Sequence, residues 1–403
     1  MDRTGCGQYT ESNETPCYRK SRVCFTFYCD MKLIYVKNLA SKRISSFEKS
    51  AMEAASKLGF EITFACNTRY IDTNLMEQDC KKYGIQLKHI DFERSPYSLK
   101  NICAYRQLLN LMTQEKYDIA HCNTPIGGVV GRLAAHKAKI PYTIYQAHGF
   151  HFWKGAPCFN WLCYYPVERL LARYTDLLIT INQEDYQTAK KFSTKKVVLV
   201  NGVGIDTSLF VPSVDKNPTL RQNLGIPQKS FVLLSVGELI NRKNNITVIE
   251  ALGKLKNPHI FYVMCGEGPE QEKLYKRAIE LHIDKQIIFA GFQHKVTDFY
   301  QMADAFILAS FHEGIPAVTM EAMACKIPVL ASHIRGHIDL LPQSHLLFNP
   351  CDSNEIALYL QNIIECYPTQ EIERNFKQLD LFDYKRVVQQ MQTVYNQATQ
   401  GSK

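Results

Sequence analysis

Two glutamates in the stretch Ser310-Phe-His-Glu-Gly-Ile-Pro-Ala-Val-Thr-Met-Glu-Ala-Met-Ala-Cys325 have the type and spacing to hold a polar ligand. Glu313 and Glu321 are separated by seven residues. Glu313 falls in a turn with Gly314, Ile315 and Pro316, and Glu321 in a segment of Ala, Met and Glu, which are strong helix formers. Pro316 suits the first turn of that helix, where its missing N–H would have no partner. The apolar run Ala305–Ala309 before the turn has the length and composition of a buried strand. Strand, glycine turn and helix start together place backbone N–H groups and the positive end of the helix dipole where an anion can sit. An acid at each end of such a site can accept hydrogen bonds from sugar hydroxyls while the turn holds a diphosphate between them. A solvated helix with scattered acids would account for the glutamates alone; the strand and the turn argue for a site.

Other strand ends carry further candidates. Phe231–Val236 reads as a strand, and the turn from Gly237 to Asn245 after it contains the adjacent cations Arg242 and Lys243. These can give charge-assisted hydrogen bonds to a diphosphate, although exposed Arg-Lys pairs are also ordinary surface. The strand His259–Cys265 runs into Gly266-Glu-Gly-Pro269, which shares only two glycines with the dinucleotide fingerprint. Gly127, Gly128 and Gly131 lack its spacing altogether. The strand Tyr142–Gln146 ends in Ala147-His-Gly-Phe-His-Phe-Trp153, a polar, glycine-containing segment at the position where open α/β sheets bind ligands. A lone buried histidine is usually structural. Two histidines and three aromatics at one strand end argue for binding, by His148 ahead of His151.

The elements that must position these residues alternate between strand and helix patterns, which argues for parallel sheets with right-handed crossovers. At 403 residues the chain calls for two domains. A stretch punctuated by Pro212, Pro218, Gly225 and Pro227 marks the boundary. The expected organisation is an extension over 1–30 read as disordered, a first domain over 31–205, a second domain over 206–375 and a helical segment over 376–403. Hydrophobic residues at 46% and charged residues at 21% are ordinary for a globular chain. No apolar run reaches the roughly 18 residues needed to span a bilayer. A net charge of +8 without Lys/Arg blocks permits attraction to phosphates or anionic lipids but does not argue for nucleic acid. The fourteen cysteines include no Cys-x-x-Cys pair, so a reduced cytoplasmic thiol set is expected. Cys6, Cys17, Cys24 and Cys29 fit no familiar metal spacing. Pro157–Arg173 interleaves aromatics with Arg169 and Arg173, a pattern that suits either a membrane interface or a helix packed on its own domain.

The motifs Glu313–Ala324, Asn201-Gly-Val-Gly-Ile-Asp206 and Gly266-Glu-Gly-Pro269 resemble those of family 4 (group 1) glycosyltransferases of the GT-B fold. Ala147–Pro157 with the segment after it resembles a narrower group that extends lipid-linked saccharides in capsule and exopolysaccharide assembly. The resemblance covers nearly everything from Met31 onward. It implies an α/β architecture of two Rossmann-like, doubly wound domains facing a central cleft, the first on the acceptor side and the second binding the nucleotide sugar, with a C-terminal helix crossing back. It implies a hexosyl or N-acetylhexosaminyl transferase that retains anomeric configuration, needs no metal or other cofactor, and takes a nucleotide sugar, expected to be a UDP-sugar, as co-substrate. The implied acceptor is a polyprenyl-diphosphate-linked saccharide, met by a cytoplasmic protein peripheral on the inner face of the plasma membrane.

Carried over by position, Glu313 would contact the donor sugar and Glu321 the ribose hydroxyls. The Gly314-Ile315 turn would hold the diphosphate with Lys243 and Arg242 as cations. Gly237 and Gly266 would belong to the donor site, and His148 would lie beside the transferred sugar; Glu313, His148 and Lys243 are the expected catalytic residues. Two departures stand out. Glu238 occupies a position where many members carry Arg, and Asn123 one where close relatives carry His. The competing readings are a sugar-nucleotide 2-epimerase, which shares the architecture, and a non-catalytic partner subunit.

Overall fold

The structure, a computed structural model, describes residues 31–401. The extension expected over 1–30 and its four cysteines lie outside the described residues. The first sheet has seven strands: β1 (Lys32–Leu39), β2 (Glu61–Asn67), β3 (Ile85–His89), β4 (Ile119–Asn123), β5 (Tyr142–Ala147), β6 (Leu177–Thr180) and β7 (Lys196–Leu199). Their spatial order is β3-β2-β1-β4-β5-β6-β7, and every pairing is parallel. The second sheet contains β8 (Phe231–Val236), β9 (Ile260–Cys265), β10 (Ile287–Gly291), β11 (Ala305–Leu308), β12 (Val329–Ser332) and β13 (Leu347–Phe348). Its order is β10-β9-β8-β11-β12-β13, again parallel. Continuous apolar runs form the central strands because helices cover both sheet faces. Leu33, Ile34, Tyr35 and Val36 in β1, and all of β11, are buried.

The order in which strands are added reverses at one place in each sheet, between β1 and β4 in the first and between β8 and β11 in the second. Ligands of doubly wound sheets bind beyond the strand ends at such switch points. The turn with Arg242 and Lys243 follows β8, and the turn with Glu313 follows β11, so the cations and the acid converge at the second switch point. In the first sheet, Asn123 ends β4 and His148 follows β5.

The chain leaves the first domain along Asn201–Ile205 and returns beside it. Ile205 N–H donates to Phe382 O at 2.9 Å, and Tyr384 N–H donates to Ile205 O at 3.0 Å. Gly204, at φ +79°, permits this close approach, since a Cβ there would lie 2.9 Å from Tyr384 Cα. The helical segment expected over 376–403 is not continuous: it comprises the end of helix Thr369–Gln378, a 3₁₀ turn Leu379–Phe382 and the final helix Tyr384–Gly401. Asp383 is extended there (φ −56°, ψ 134°) because it bridges to Ile205. The final helix buries Val387, Val388, Met391, Val394, Tyr395 and Ala398 in the first domain's core, beside helix Ser46–Lys57. Their spacing makes one helical face.

Candidate active site

Glu313 sits in an electrostatic trap built by two turns. Its Oε1 accepts from Arg242 Nη1 at 2.7 Å, Lys243 Nζ at 2.9 Å and Ser310 Oγ at 2.7 Å. Burial alone would raise this carboxyl, but the two cations outweigh it and hold Glu313 at about 2. Phe311 N–H donates to Arg242 O at 2.9 Å, and Arg242 Nη1 also reaches His312 O at 3.1 Å, so the turns are tied through backbone as well. Glycine at 237 leaves room for the lysine stem, because a Cβ there would lie 3.2 Å from Lys243 Cε. Gly266 packs on this turn, its absent Cβ falling 1.9 Å from Gly237 O. The structure therefore gathers Arg242, Lys243, Glu313, Gly314, Ile315, Gly237 and Gly266 at one end of the sheet.

Glu321 stands on the helix Ala317–Ala324 and accepts from Tyr300 O–H at 2.8 Å. Burial pushes its carboxyl up, with the tyrosine hydrogen bond acting in the opposite direction. The two glutamates thus differ: Glu313 is ionised and neutralised by cations, whereas Glu321 has one neutral donor and capacity for more. Pro316 caps this helix with extended backbone (φ −77°, ψ 116°), one position before the first turn where the sequence placed it.

From the opposite wall, His148 O approaches the same turn. A Cβ on Gly314 would lie 2.3 Å from that oxygen, so only glycine lets the walls meet. The His148 ring donates from Nε2 to Asn123 Oδ1 at 2.5 Å, and Asn123 Nδ2 donates to Tyr35 O–H at 2.6 Å. Burial pushes this imidazole down to about 3, with Lys37 adding to the effect, so it is neutral at ordinary pH. Its buried Nδ1 makes no hydrogen bond among the described residues. Asn123 is therefore the anchor of His148, a role that sequence reading did not give it. His151 takes a different position, its ring centroid 5.0 Å from that of Tyr164 on helix Cys158–Leu171.

One face of that helix packs on its own domain. Trp161 and Tyr165 pack around Phe152, and Trp161 Nε1 donates to Trp153 O at 3.2 Å. Phe159, Leu162, Val167 and Leu170 are exposed, and at about 100° per residue they form one outward face flanked by Arg169 and Arg173. Sequence reading also missed Arg335 and Asp185, a buried ion pair between the domains. Arg335 lies in a loop after β12, and no periodicity marks a buried arginine there.

A profile of the glycosyl transferases group 1 matches residues 216–378, and one described as glycosyl transferase 4-like matches residues 32–182. EpsD of Bacillus subtilis (strain 168), which carries a glycosyltransferase name, is 35% identical over 354 residues, covering 84% of this chain and 90% of that protein. The UDP-Gal:alpha-D-GlcNAc-diphosphoundecaprenol alpha-1,3-galactosyltransferase of Escherichia coli is 27% identical, covering 66% and 72%. In fold, the chain is similar to Anabaena HepE, solved with UDP and glucose, at a TM-score of 0.74 and 20% identity over 91% of this chain and 100% of HepE. It is also similar to WaaG, a glycosyltransferase involved in lipopolysaccharide biosynthesis, at a TM-score of 0.67 and 16% identity over 90% and 99%. With two parallel Rossmann-like domains meeting at their switch points, the chain belongs to the group 1 (family 4) glycosyltransferases of the GT-B fold.

Proposed function

We propose that the enzyme is a retaining glycosyltransferase that moves a sugar from a UDP-sugar to a polyprenyl-diphosphate-linked saccharide in cell-surface polysaccharide assembly. The observation that carries this reading is the Glu313 carboxylate held by both Arg242 and Lys243 opposite His148. Two fixed cations at a switch point suit a diphosphate, and in the free protein Glu313 occupies them. The galactosyltransferase relative acts on a diphosphoundecaprenol-linked sugar, and HepE was solved with UDP, which supports this acceptor class and this nucleotide.

In this reading the acceptor hydroxyl attacks the anomeric carbon on the face from which the diphosphate departs. The bond from that carbon to the phosphate oxygen breaks as the new glycosidic bond forms, and the leaving oxygen takes the acceptor's proton. Arg242, Lys243 and the Gly314-Ile315 backbone stabilise the growing charge on the diphosphate. Preorganised donors in a cleft shielded from water do this without a separate acid–base pair. Glu313 orients the donor sugar, Glu321 accepts from the ribose hydroxyls, and neutral His148 contacts the transferred sugar. The reaction needs no metal, since the positive charge comes from side chains.

No helix among the described residues is long and apolar enough to cross a membrane. The exposed apolar face of Cys158–Leu171 with its flanking arginines suits an anionic bilayer surface, which supports a peripheral position at the inner face of the plasma membrane. Incubation with labelled UDP-sugars and a polyprenyl-diphosphate saccharide tests the function. Label in the lipid phase supports it. Interconversion of free nucleotide sugars would indicate an epimerase instead, and neither outcome a non-catalytic subunit.

A further inference from the structure

The guanidinium of Arg335 is buried where the two domains meet, and its hydrogen bonds divide between them. Within its own domain, Nε donates to Glu313 O at 3.2 Å, the peptide that leads into Gly314. Across the cleft, Nη2 donates to Phe150 O at 2.6 Å and Nη1 donates to Asp185 Oδ1. Asp185 completes a ring, its Oδ2 accepting from Phe150 N–H at 3.0 Å and from Asn182 Nδ2 at 2.7 Å. Both backbone polar groups of Phe150 are therefore tied to a single ion pair, two residues beyond His148.

The surroundings seal this pair. Its side chains are only 3% and 1% exposed. Trp153 lies over the guanidinium at 5.4 Å and stacks on His312 of the other domain, with centroids 4.1 Å apart and planes at 23°. Gly336, next to the arginine, touches the donor-side turn, since a Cβ there would lie 2.0 Å from Gly314 O. Burying two charges is tolerable only when each is matched and hydrogen-bonded. Here the matching groups come from opposite walls, so the arrangement exists only while the cleft is closed at this point.

We propose that Arg335 is a positioning residue that locks the His148 loop onto the Glu313 turn and fixes the separation of the two walls during transfer. Its consequence for turnover rests on the transferase reading; the lock itself does not. The side chains assigned to the diphosphate and ribose, those of Arg242, Lys243 and Glu321, make no hydrogen bond to Arg335. Arg335 touches the diphosphate-holding turn only through the Glu313 carbonyl, so loss of the lock should lower kcat by much more than it weakens nucleotide binding. Lysine keeps the charge, but its single ammonium cannot reproduce the planar fork that reaches three acceptors. A misplacement of about 1 Å between reacting groups costs on the order of 100-fold in rate.

The test compares wild type, Arg335→Lys and Asp185→Asn by hydrogen-exchange mass spectrometry with saturating UDP, by UDP calorimetry and by steady-state transfer. Peptides covering 147–153 and 312–316, which lie in different domains, should lose protection together in both variants. Protection of helix Ser46–Lys57 should stay unchanged, UDP affinity should stay within about threefold, and kcat should fall roughly 100-fold. Deprotection confined to 333–340, wild-type protection at both loops, or an unchanged kcat would overturn the proposal. If Arg335→Lys does not fold, Asp185→Asn decides the same points. Absence of transfer by wild type from any UDP-sugar would defeat the functional reading, and the exchange data would still decide the lock.

Discussion

Replacing Glu313 with Gln removes a negative charge that two cations share, and the structure sets the size of the effect. The carboxyl is held at about 2 rather than 4.5. At 1.36 kcal/mol per pH unit, that difference favours the ionised folded form by about 3 kcal/mol. Because the folded-state value is depressed, the contribution is fully present above about pH 4.5 and is lost as pH falls toward 2. By the same relation, about half of it remains at pH 3. In a domain of 150–250 residues, each kcal/mol moves the melting temperature by about 2–4 °C. Scanning calorimetry at pH 7 should thus show Glu313→Gln melting about 6–12 °C below wild type, with roughly half that gap at pH 3. UDP should raise the variant's melting temperature more than wild type's, because its diphosphate supplies the charge that Arg242 and Lys243 have lost. A gap under about 2 °C at pH 7, or the same gap at both pH values, would refute the reasoning.

Other expectations concern single groups. Glu321→Gln should weaken UDP binding by about 1–3 kcal/mol in calorimetry. Since burial raises the Glu321 carboxyl, wild-type UDP affinity should fall as pH drops through that raised value, and the variant should lack the dependence. His148→Gln should reduce kcat, whereas the wild-type pH–rate profile should show no limb near 6.5 from His148, which is held at about 3. The double change Phe159→Ser with Leu162→Ser should weaken sedimentation with anionic vesicles by at least tenfold, given about 1.5–3 kcal/mol for each large apolar side chain removed from water. Chelator should leave turnover intact, and activity restored by Mg²⁺ after its loss would contradict the metal-independent mechanism.

The strands and the Glu313 turn were legible because apolar runs and glycine positions are local signals. The run Phe231–Val236 occupies the same residues as β8, and Ala305–Ala309 differs from β11 by one residue. Tertiary contacts were not legible in this way. The break at Leu379–Asp383 follows from pairing with Ile205, more than 170 positions away in the sequence. Within the site, Arg242, Lys243 and Glu313 were each identifiable by type, but their shared contact at one carboxylate oxygen required the β8–β11 adjacency. Asn123 looked like a departure from relatives, and its function as the hydrogen-bond anchor of His148 depends on β4 lying beside β5. Arg335 and Asp185 gave no local signal because their partners lie across the cleft.

The most direct test of the central claim is transfer of labelled sugar from UDP-sugars to a polyprenyl-diphosphate saccharide by wild type and by the Arg242→Met, Lys243→Met double variant. The account predicts that label enters the lipid phase with wild type and that the double variant, folded by circular dichroism, loses this transfer. Undiminished transfer by the double variant, or no transfer by wild type from any donor, would contradict it.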